Sequence, residues 1–238
     1  MSTPEQRCRR VGHSIIQAGG DLAALPARLE GAAWDMVELD VLARGEELIV
    51  AHSPHELERP PAVRFADALA ALRDLLPEHV ELNVDLKSTG YEHAVLDMLR
   101  SLDLVPRTLV SSMEAPSLRV LRAAAPELRL GLSVPRARRD YLSNPVTRPA
   151  ANVMLAYLRR VMPRQAARAV RGGLADAIMA HWGVVTPALV RAVRGAGGEL
   201  YVLTVDDTQR LLSLHALGVS AVITNDRDLF ARAGLQPT

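Results

Sequence analysis

Two carboxylates one residue apart, Glu38 and Asp40, lie inside the largely apolar segment MVELDVLARGEELIVAHS, residues 36–53. Side chains two apart in a strand point to the same face, about 7 Å apart along it, so both acids would share one face of a buried strand. Like charges repel there, and burying either without a partner is costly. A bound cation removes both costs, so the segment suggests a metal site.

Further polar side chains occupy comparable places along the chain. His13 ends the first apolar run, His52 closes the run that follows the two carboxylates, and Asp85 and Lys87 alternate in LNVDLK. Each has an ordinary structural interpretation, since a histidine at a strand end is usually just hydrogen-bonded and Asp and Lys can form a plain ion pair. If the runs are parallel strands of a barrel, however, their C-terminal ends meet at one mouth. The coincidence favours a functional site.

These residue types indicate a particular chemistry. Glu38, Asp40 and Asp85 offer three carboxylates with no cysteine nearby, which suits one hard divalent cation, Mg²⁺ or Ca²⁺, better than zinc. His13 and His52 beside such an ion would be a general acid and base, each worth about 10²–10⁴-fold in rate. Which histidine plays which part is left open.

Eight short apolar runs alternate with helix-length segments through most of the chain. The runs are RVGHSI, MVELDVL, VELNVDLK, RTLVSSM, LRLGLSV, ADAIMAH, ELYVLTV and SAVITND. Near-continuous apolar strands are typical of a sheet covered on both faces. The pattern predicts an α/β fold, a (β/α)₈ TIM barrel, as one domain over residues 1–238. A doubly wound open sheet is the alternative, without a Gly-x-Gly-x-x-Gly turn to support nucleotide binding.

One long connection interrupts this alternation. Residues 134–173 separate the fifth and sixth runs; the second half is predicted to be a helix, and the first half carries Arg136, Arg138 and Arg139. These arginines could belong to a solvated loop. They could also belong to a lid, formed by residues 134–148, that meets an anionic substrate, because long barrel loops are often functional.

Composition narrows the function classes. The chain has 238 residues, 49% hydrophobic and 23% charged, with a net charge of +1 and only 3% aromatic residues, which argues against a nucleic-acid partner. The single cysteine, Cys8, excludes an intrachain disulfide. No apolar run approaches the roughly 20 residues of a transmembrane helix, and no signal-peptide core is visible. A cytoplasmic protein is therefore expected.

The motifs, taken in order, resemble those of the glycerophosphodiester phosphodiesterase family. His13 is similar to the histidine of that family's opening His-Arg-Gly, VELDV to its Glu-x-Asp pair, and His52 in IVAHS to the histidine of its His-Asp. LNVDLK resembles the strand with the third carboxylate and the lysine, and VLTVDD and LGVSAVITND resemble its closing patterns. The resemblance implies a (β/α)₈ barrel that cleaves phosphodiesters, with the three carboxylates on the metal and the two histidines as the acid–base pair.

The chain also departs from the family pattern. Ser14 replaces a phosphate-contacting Arg, Ser53 replaces the Asp after the second histidine, Leu203 replaces a Trp, and Asp85 stands where Glu is usual. The stretch after His52 is too short for the family's inserted segment. We assign the substrate contacts to Lys87, Ser14, Trp182 and Arg136.

The expected substrate is a small-molecule or lipid-derived phosphodiester, either glycerophosphodiester-like or a bulkier lysolipid or metabolite diester. GHS and VDLKSTGYE also resemble sphingomyelinase-D-like enzymes, which form a cyclic phosphate, although those enzymes are mostly secreted and disulfide-bonded. A barrel that only binds a phosphorylated ligand is a further alternative, against which the retained histidines and carboxylates argue. The oligomeric state is left open.

Overall fold

The computed structural model of the protein describes residues 8–17, 19–134 and 148–235. The strands in this part of the chain are β1 Arg9–Gly12, β2 Met36–Arg44, β3 Glu47–Val50, β4 Glu81–Leu86, β5 Thr108–Ser112, β6 Arg129–Val134, β7 Ala177–His181, β8 Glu199–Leu203 and β9 Ala221–Thr224. The α-helices are α1 Leu25–Leu29, α2 Phe65–Leu75, α3 Glu92–Ser101, α4 Ala115–Ala124, α5 Arg148–Arg171, α6 Pro187–Arg194, α7 Thr208–Leu217 and α8 Leu229–Arg232.

The sheet closes on itself. Every strand except β3 pairs in parallel with its neighbours, and β1 pairs with both β9 and β2, with Val11 opposite Ile223 on one side and Met36 on the other. Closure confirms the predicted (β/α)₈ barrel and excludes the open sheet. The eight apolar runs correspond to its eight strands.

The strand β3 lies outside the barrel proper. β2 extends beyond the barrel, and β3 pairs with this extension in antiparallel fashion, with Val41 opposite Val50. This hairpin returns the chain to the C-terminal end of the barrel, where Ala51 and then His52 follow β3.

Local signals explain where the outer helices begin and end. The Thr186 hydroxyl accepts a hydrogen bond from the Leu189 amide at the start of α6, and Asp207 accepts one from the Arg210 amide at the start of α7. Gly218 ends α7 with a φ of 78°, a left-handed conformation that glycine adopts readily. The helix predicted in the second half of residues 134–173 is α5.

Alternate strands fill the barrel interior in layers. The lowest layer, at the N-terminal ends of the strands, is a ring of two arginines and two glutamates: Arg9, Glu81, Arg129 and Glu199. Each arginine bridges both glutamates at 2.7–2.9 Å. We call these four residues the basal ring.

Above the basal ring the interior is mostly apolar. The buried side chains there are Val11, Met36, Leu109, Ala177, Met179, Tyr201, Ala221 and Ile223. The exception is Asn83, which is fully buried between Glu81 and Asp85 on the same face of β4 and whose side-chain amide makes no hydrogen bond among the described residues. Other polar groups return at the C-terminal ends of the strands. The predicted site therefore sits on an apolar floor that excludes water from below.

No described helix is long and apolar enough to cross a membrane. The cytoplasmic location and the single-domain boundary at residues 1–238 stay predictions. Residues 135–147 of the predicted lid, with Arg136, Arg138 and Arg139, lie outside the described residues, so the choice between lid and solvated loop also stays open.

Candidate active site

Three carboxylates converge at the C-terminal end of the barrel. Glu38 and Asp40 point inward from β2, and the parallel register sets Asp40 opposite Asp85 on β4. One oxygen of each acid lies within 4.8 Å of the other two, and all three residues are buried. The alternation in VELDV and NVDLK therefore does bring the predicted metal ligands together.

Burial and neighbouring groups shift the pKa values of Glu38, Asp40 and Lys87 in different directions. Burial and the charges of Asp40 and Asp85 raise the pKa of Glu38 well above its usual range. Burial also raises the pKa of Asp40, but hydrogen bonds with His52 and Lys87 and the charge of Lys87 offset this and lower it to about 2. Burial lowers the pKa of Lys87, but the three carboxylates raise it overall, so this amine stays charged.

The donor set fits a hard divalent cation. Glu38 Oε2 is buried and makes no hydrogen bond within the part of the chain that the structure describes; His13 Nε2 lies 4.0 Å from it. An ionised oxygen buried in this way is disfavoured unless a positive charge joins it. Lys87 Nζ offsets the other two acids, 2.8 Å from Asp40 Oδ1 and hydrogen-bonded to Asp85 Oδ2. Glu38, Asp40 and Asp85 could thus hold the predicted Mg²⁺ or Ca²⁺.

His13 is oriented from behind by residues that follow other strands. Its Nδ1 lies 2.8 Å from the Asn225 side-chain oxygen, while the Asn225 amide nitrogen donates to Asp206. Because the amide nitrogen is committed to a carboxylate, its oxygen faces the imidazole and Nδ1 carries the proton. Burial raises the pKa of Asp206, but hydrogen bonds from Asn225 and Thr224 lower it overall, so this anchor stays ionised.

His52 is held by a metal-ligand candidate. Its Nδ1 lies 2.8 Å from Asp40 Oδ2, and this hydrogen bond raises the pKa of His52. The His52 backbone amide donates to Glu56 Oε2 at 2.8 Å, which fixes the start of the loop after β3. Asp40 Oδ2 also accepts a hydrogen bond from the Ser14 hydroxyl at 3.1 Å.

Both imidazoles line one cavity of about 320 Å³. We call it the histidine cavity; its lining residues are His13, Ser14, Ile16, Gln17, Asp40, Val50, Ala51, His52, Glu56, Arg59 and Asn225. A second, larger cavity of about 640 Å³, the mouth cavity, shares His52 and reaches Asp85 and Lys87. Its lining is mostly apolar and includes Leu42, Leu57, Met113, Met179 and Leu203.

The predicted substrate contacts have different positions. Ser14 lines the histidine cavity, and Lys87 lines the mouth cavity. Trp182 follows β7, and the Arg210 guanidinium carbon lies over the Trp182 ring, 3.8 Å from the ring centre. The neighbouring His181, rather than Trp182, lines the mouth cavity. Arg136 lies outside the described residues. Their roles toward a substrate stay predictions.

Several residues of the site were not assigned from the sequence. His181 ends β7 at the mouth cavity, Asn225 directly follows β9, and Ser111 on β5 donates to Asp85 Oδ1 at 2.6 Å. All three lie at or next to the C-terminal ends of strands, and that position in the sequence could have identified them as site residues. Glu56 and Arg59 gave no such signal, since they lie in a short loop beyond the outer strand.

Comparison with known proteins gives one sequence relative and many structural ones. No family model matches the chain. The glycerophosphodiester phosphodiesterase GDPD4 of Arabidopsis thaliana is 33% identical over 96 residues, which cover 40% of this chain and 29% of the relative. The match thus spans less than a third of that protein's length.

Solved structures of glycerophosphodiester phosphodiesterases share the fold. The enzyme of Parabacteroides distasonis has a TM-score of 0.71 at 14% identity, covering 96% of this chain and 99% of its own. That of Agrobacterium tumefaciens has a TM-score of 0.66 at 18% identity, covering 95% and 100%. An Oleispira antarctica phosphodiesterase in complex with its product sn-glycerol-3-phosphate has a TM-score of 0.67 at 18% identity, covering 96% and 97%. These comparisons confirm the resemblance that the sequence motifs indicate.

Proposed function

We propose that the protein is a divalent-metal-dependent phosphodiesterase. It cleaves a glycerophosphodiester-like or bulkier lysolipid or metabolite diester into an alcohol and a phosphomonoester or cyclic phosphate. The observation that carries the proposal is the meeting of three buried carboxylates with two histidines that line one cavity. Binding alone requires no acid–base pair, so this arrangement favours catalysis over a barrel that only holds a phosphorylated ligand.

The two histidines supply the proton transfers. With Nδ1–H committed to Asn225 or Asp40, each neutral imidazole presents an unprotonated Nε2 that can take a proton. One histidine, in this neutral form, takes the proton of the nucleophile at Nε2. The other begins as the imidazolium, with a proton on Nε2 as well as on Nδ1, and gives the Nε2 proton to the leaving alkoxide. Attack by water gives an open phosphomonoester, and attack by a hydroxyl of the substrate gives a cyclic phosphate.

The metal would be held by Glu38, Asp40 and Asp85. When bound, a divalent cation supplies an electrophile for a non-bridging phosphate oxygen and offsets the charge that grows at phosphorus. The basal ring and the apolar floor below keep bulk water away from this charge, which strengthens its electrostatic interactions.

The mouth cavity supports the bulkier end of the substrate range. Its volume of about 640 Å³ exceeds what a glycerol headgroup needs, and its lining is mostly apolar. An acyl chain or other apolar group can bury its surface there, which stabilises the complex by about 25 cal/mol for each Å² of apolar surface buried. We therefore expect a lysolipid-like diester to react better than glycerophosphocholine.

Metal removal tests the function directly. Protein treated with EDTA should lose turnover of phosphodiesters, and added Mg²⁺, Ca²⁺ or Mn²⁺ should restore it, with phosphorus NMR separating open from cyclic products. Glu38→Gln should lower metal affinity by roughly a hundredfold, as loss of a metal ligand does. Glu47→Gln, an exposed control on β3, should leave it unchanged. Unchanged turnover in EDTA would refute metal dependence, and tight phosphate binding without turnover of any diester would favour the non-catalytic barrel.

A further inference from the structure

The groups predicted to hold the substrate's phosphate are already engaged within the protein. The Ser14 hydroxyl donates to Asp40 Oδ2, and the Lys87 ammonium lies between the carboxylates of Asp40 and Asp85. Ser14 carries no charge, and the charge of Lys87 is offset by two anions. Neither side chain therefore offers an unengaged charge to an anionic ester that enters the histidine cavity.

Arg59 lines the same cavity as both imidazoles and Ser14. Its side chain is exposed, and within residues 8–17, 19–134 and 148–235 its guanidinium makes no hydrogen bond or ion pair. Nearby arginines differ, because Arg44 pairs with Glu47 and Arg64 pairs with Asp67. Arg28 likewise donates to the Ile15 carbonyl. The guanidinium of Arg59 is therefore available to donate hydrogen bonds to a ligand.

The backbone at Arg59 has a defined position. Its amide donates to the Glu56 carbonyl at 3.1 Å, which ends the 3₁₀ helix Pro54–Glu58. A Cβ placed on Gly19, in the loop after β1, would lie 3.8 Å from the Arg59 Cβ. The side chain therefore starts where the loops after β1 and β3 meet, on the wall of the cavity.

Carboxylates also line the histidine cavity. Besides Asp40, the cavity wall contains Glu56, whose Oε2 accepts a hydrogen bond from the His52 amide. Two carboxylates would repel an incoming phosphodiester anion. A guanidinium counters this repulsion and can donate two parallel hydrogen bonds to phosphate oxygens.

We propose that Arg59 binds the substrate phosphate and supplies, from the loop after β3, the two-pronged contact that Ser14 cannot make. This inference rests on the proposed function for its kinetic consequences, but not for anion binding itself. It also means that the phosphate contact comes from a different strand connection than in the family pattern, where it follows the first histidine.

Kinetics of three variants test the contact. Arg59→Ala should lower kcat/KM for an anionic diester by about a hundredfold, mainly through KM, because a charged contact to phosphate is lost. Arg59→Lys should recover only part of it, since an ammonium cannot donate in parallel. Arg64→Ala, an exposed arginine five positions on and outside the cavity, should stay within twofold of the parent. Ser14→Arg in the Arg59→Ala background should restore much of the loss.

A binding measurement keeps this proposal separate from the proposed function. Calorimetric titration with inorganic phosphate and with sn-glycerol-3-phosphate should give an affinity that Arg59→Ala weakens about tenfold or more and Arg64→Ala does not. If no diester is cleaved but this difference is found, the catalytic proposal fails and the Arg59 site stands. Equal phosphate affinity and equal KM in the parent and Arg59→Ala would overturn it, and so would a parent protein that binds neither anion.

Discussion

The two histidines are oriented by different kinds of partner. His13 is held by an amide that is itself anchored to Asp206, whereas His52 is held directly by Asp40. Sequence spacing identified both histidines because each ends an apolar run. It could not identify Asn225 as a partner, since the two residues are adjacent only when the first and last strands pair.

Replacement of either histidine tests the acid–base assignment. His13→Ala and His52→Ala should each lower kcat by about 10²–10⁴-fold, because a proton-transfer group is lost. Neither change should alter the thermal unfolding midpoint appreciably, as both residues lie at the cavity surface. His79→Ala, an exposed histidine away from the cavity, serves as the control. A near-normal kcat in either cavity variant removes that histidine from the mechanism.

The barrel strands and most helices could be predicted, because apolar runs and cap residues are local signals. The sequence predicted a short hairpin-like run that ends at His52. It did not predict how far β2 extends beyond the barrel to pair with this run, because that depends on where the neighbouring strands end. The place of the loop between β3 and α2 in the site could not be predicted from the sequence either. This loop contributes Glu56 and Arg59 to the site without any periodic pattern.

Met179 of β7 and Leu203 of β8 are apolar residues in the lining of the mouth cavity, and they lead to a prediction about substrate size. Leu203→Trp should fill part of the mouth cavity and lower the preference for lysophosphatidylcholine over glycerophosphocholine. The ratio of the two kcat/KM values should fall on the order of tenfold, as expected for a changed apolar contact. Leu212→Trp, on the exposed side of α7, should leave the ratio unchanged. A ratio unaffected by Leu203→Trp would show that the apolar group binds elsewhere.

At the scale of the whole molecule, the barrel has charge at both ends of its interior and mostly apolar side chains between them. The basal ring links β1, β4, β6 and β8, so it connects strands that are not neighbours. The sequence did not reveal this ring, because its members are far apart in the chain and each resembles an ordinary surface charge.

Breaking the basal ring should reduce stability without touching the site. Arg129→Met leaves Glu81 and Glu199 with Arg9 alone, and should lower the free energy of unfolding by about 1–3 kcal/mol, a range suited to partly exposed ion pairs. Arg119→Met, an exposed arginine on α4, should change it by less than about 0.5 kcal/mol. Urea denaturation of both variants measures the difference. Equal stabilities would mean that the ring is a solvated charge cluster.

The pairing of β1 with β9 determines when the site can come into being during synthesis. Arg9–Gly12 leaves the ribosome more than 200 residues before its partner Ala221–Thr224. Until then the nascent sheet has two open edges, which are prone to pair wrongly with other chains. His13 follows the first of these strands and Asn225 the last, so their hydrogen bond spans the seam of the barrel. Closure of the barrel therefore removes the exposed edges and, in the same event, brings Asn225 to His13, so under the proposed mechanism a chain whose barrel has not closed should lack activity.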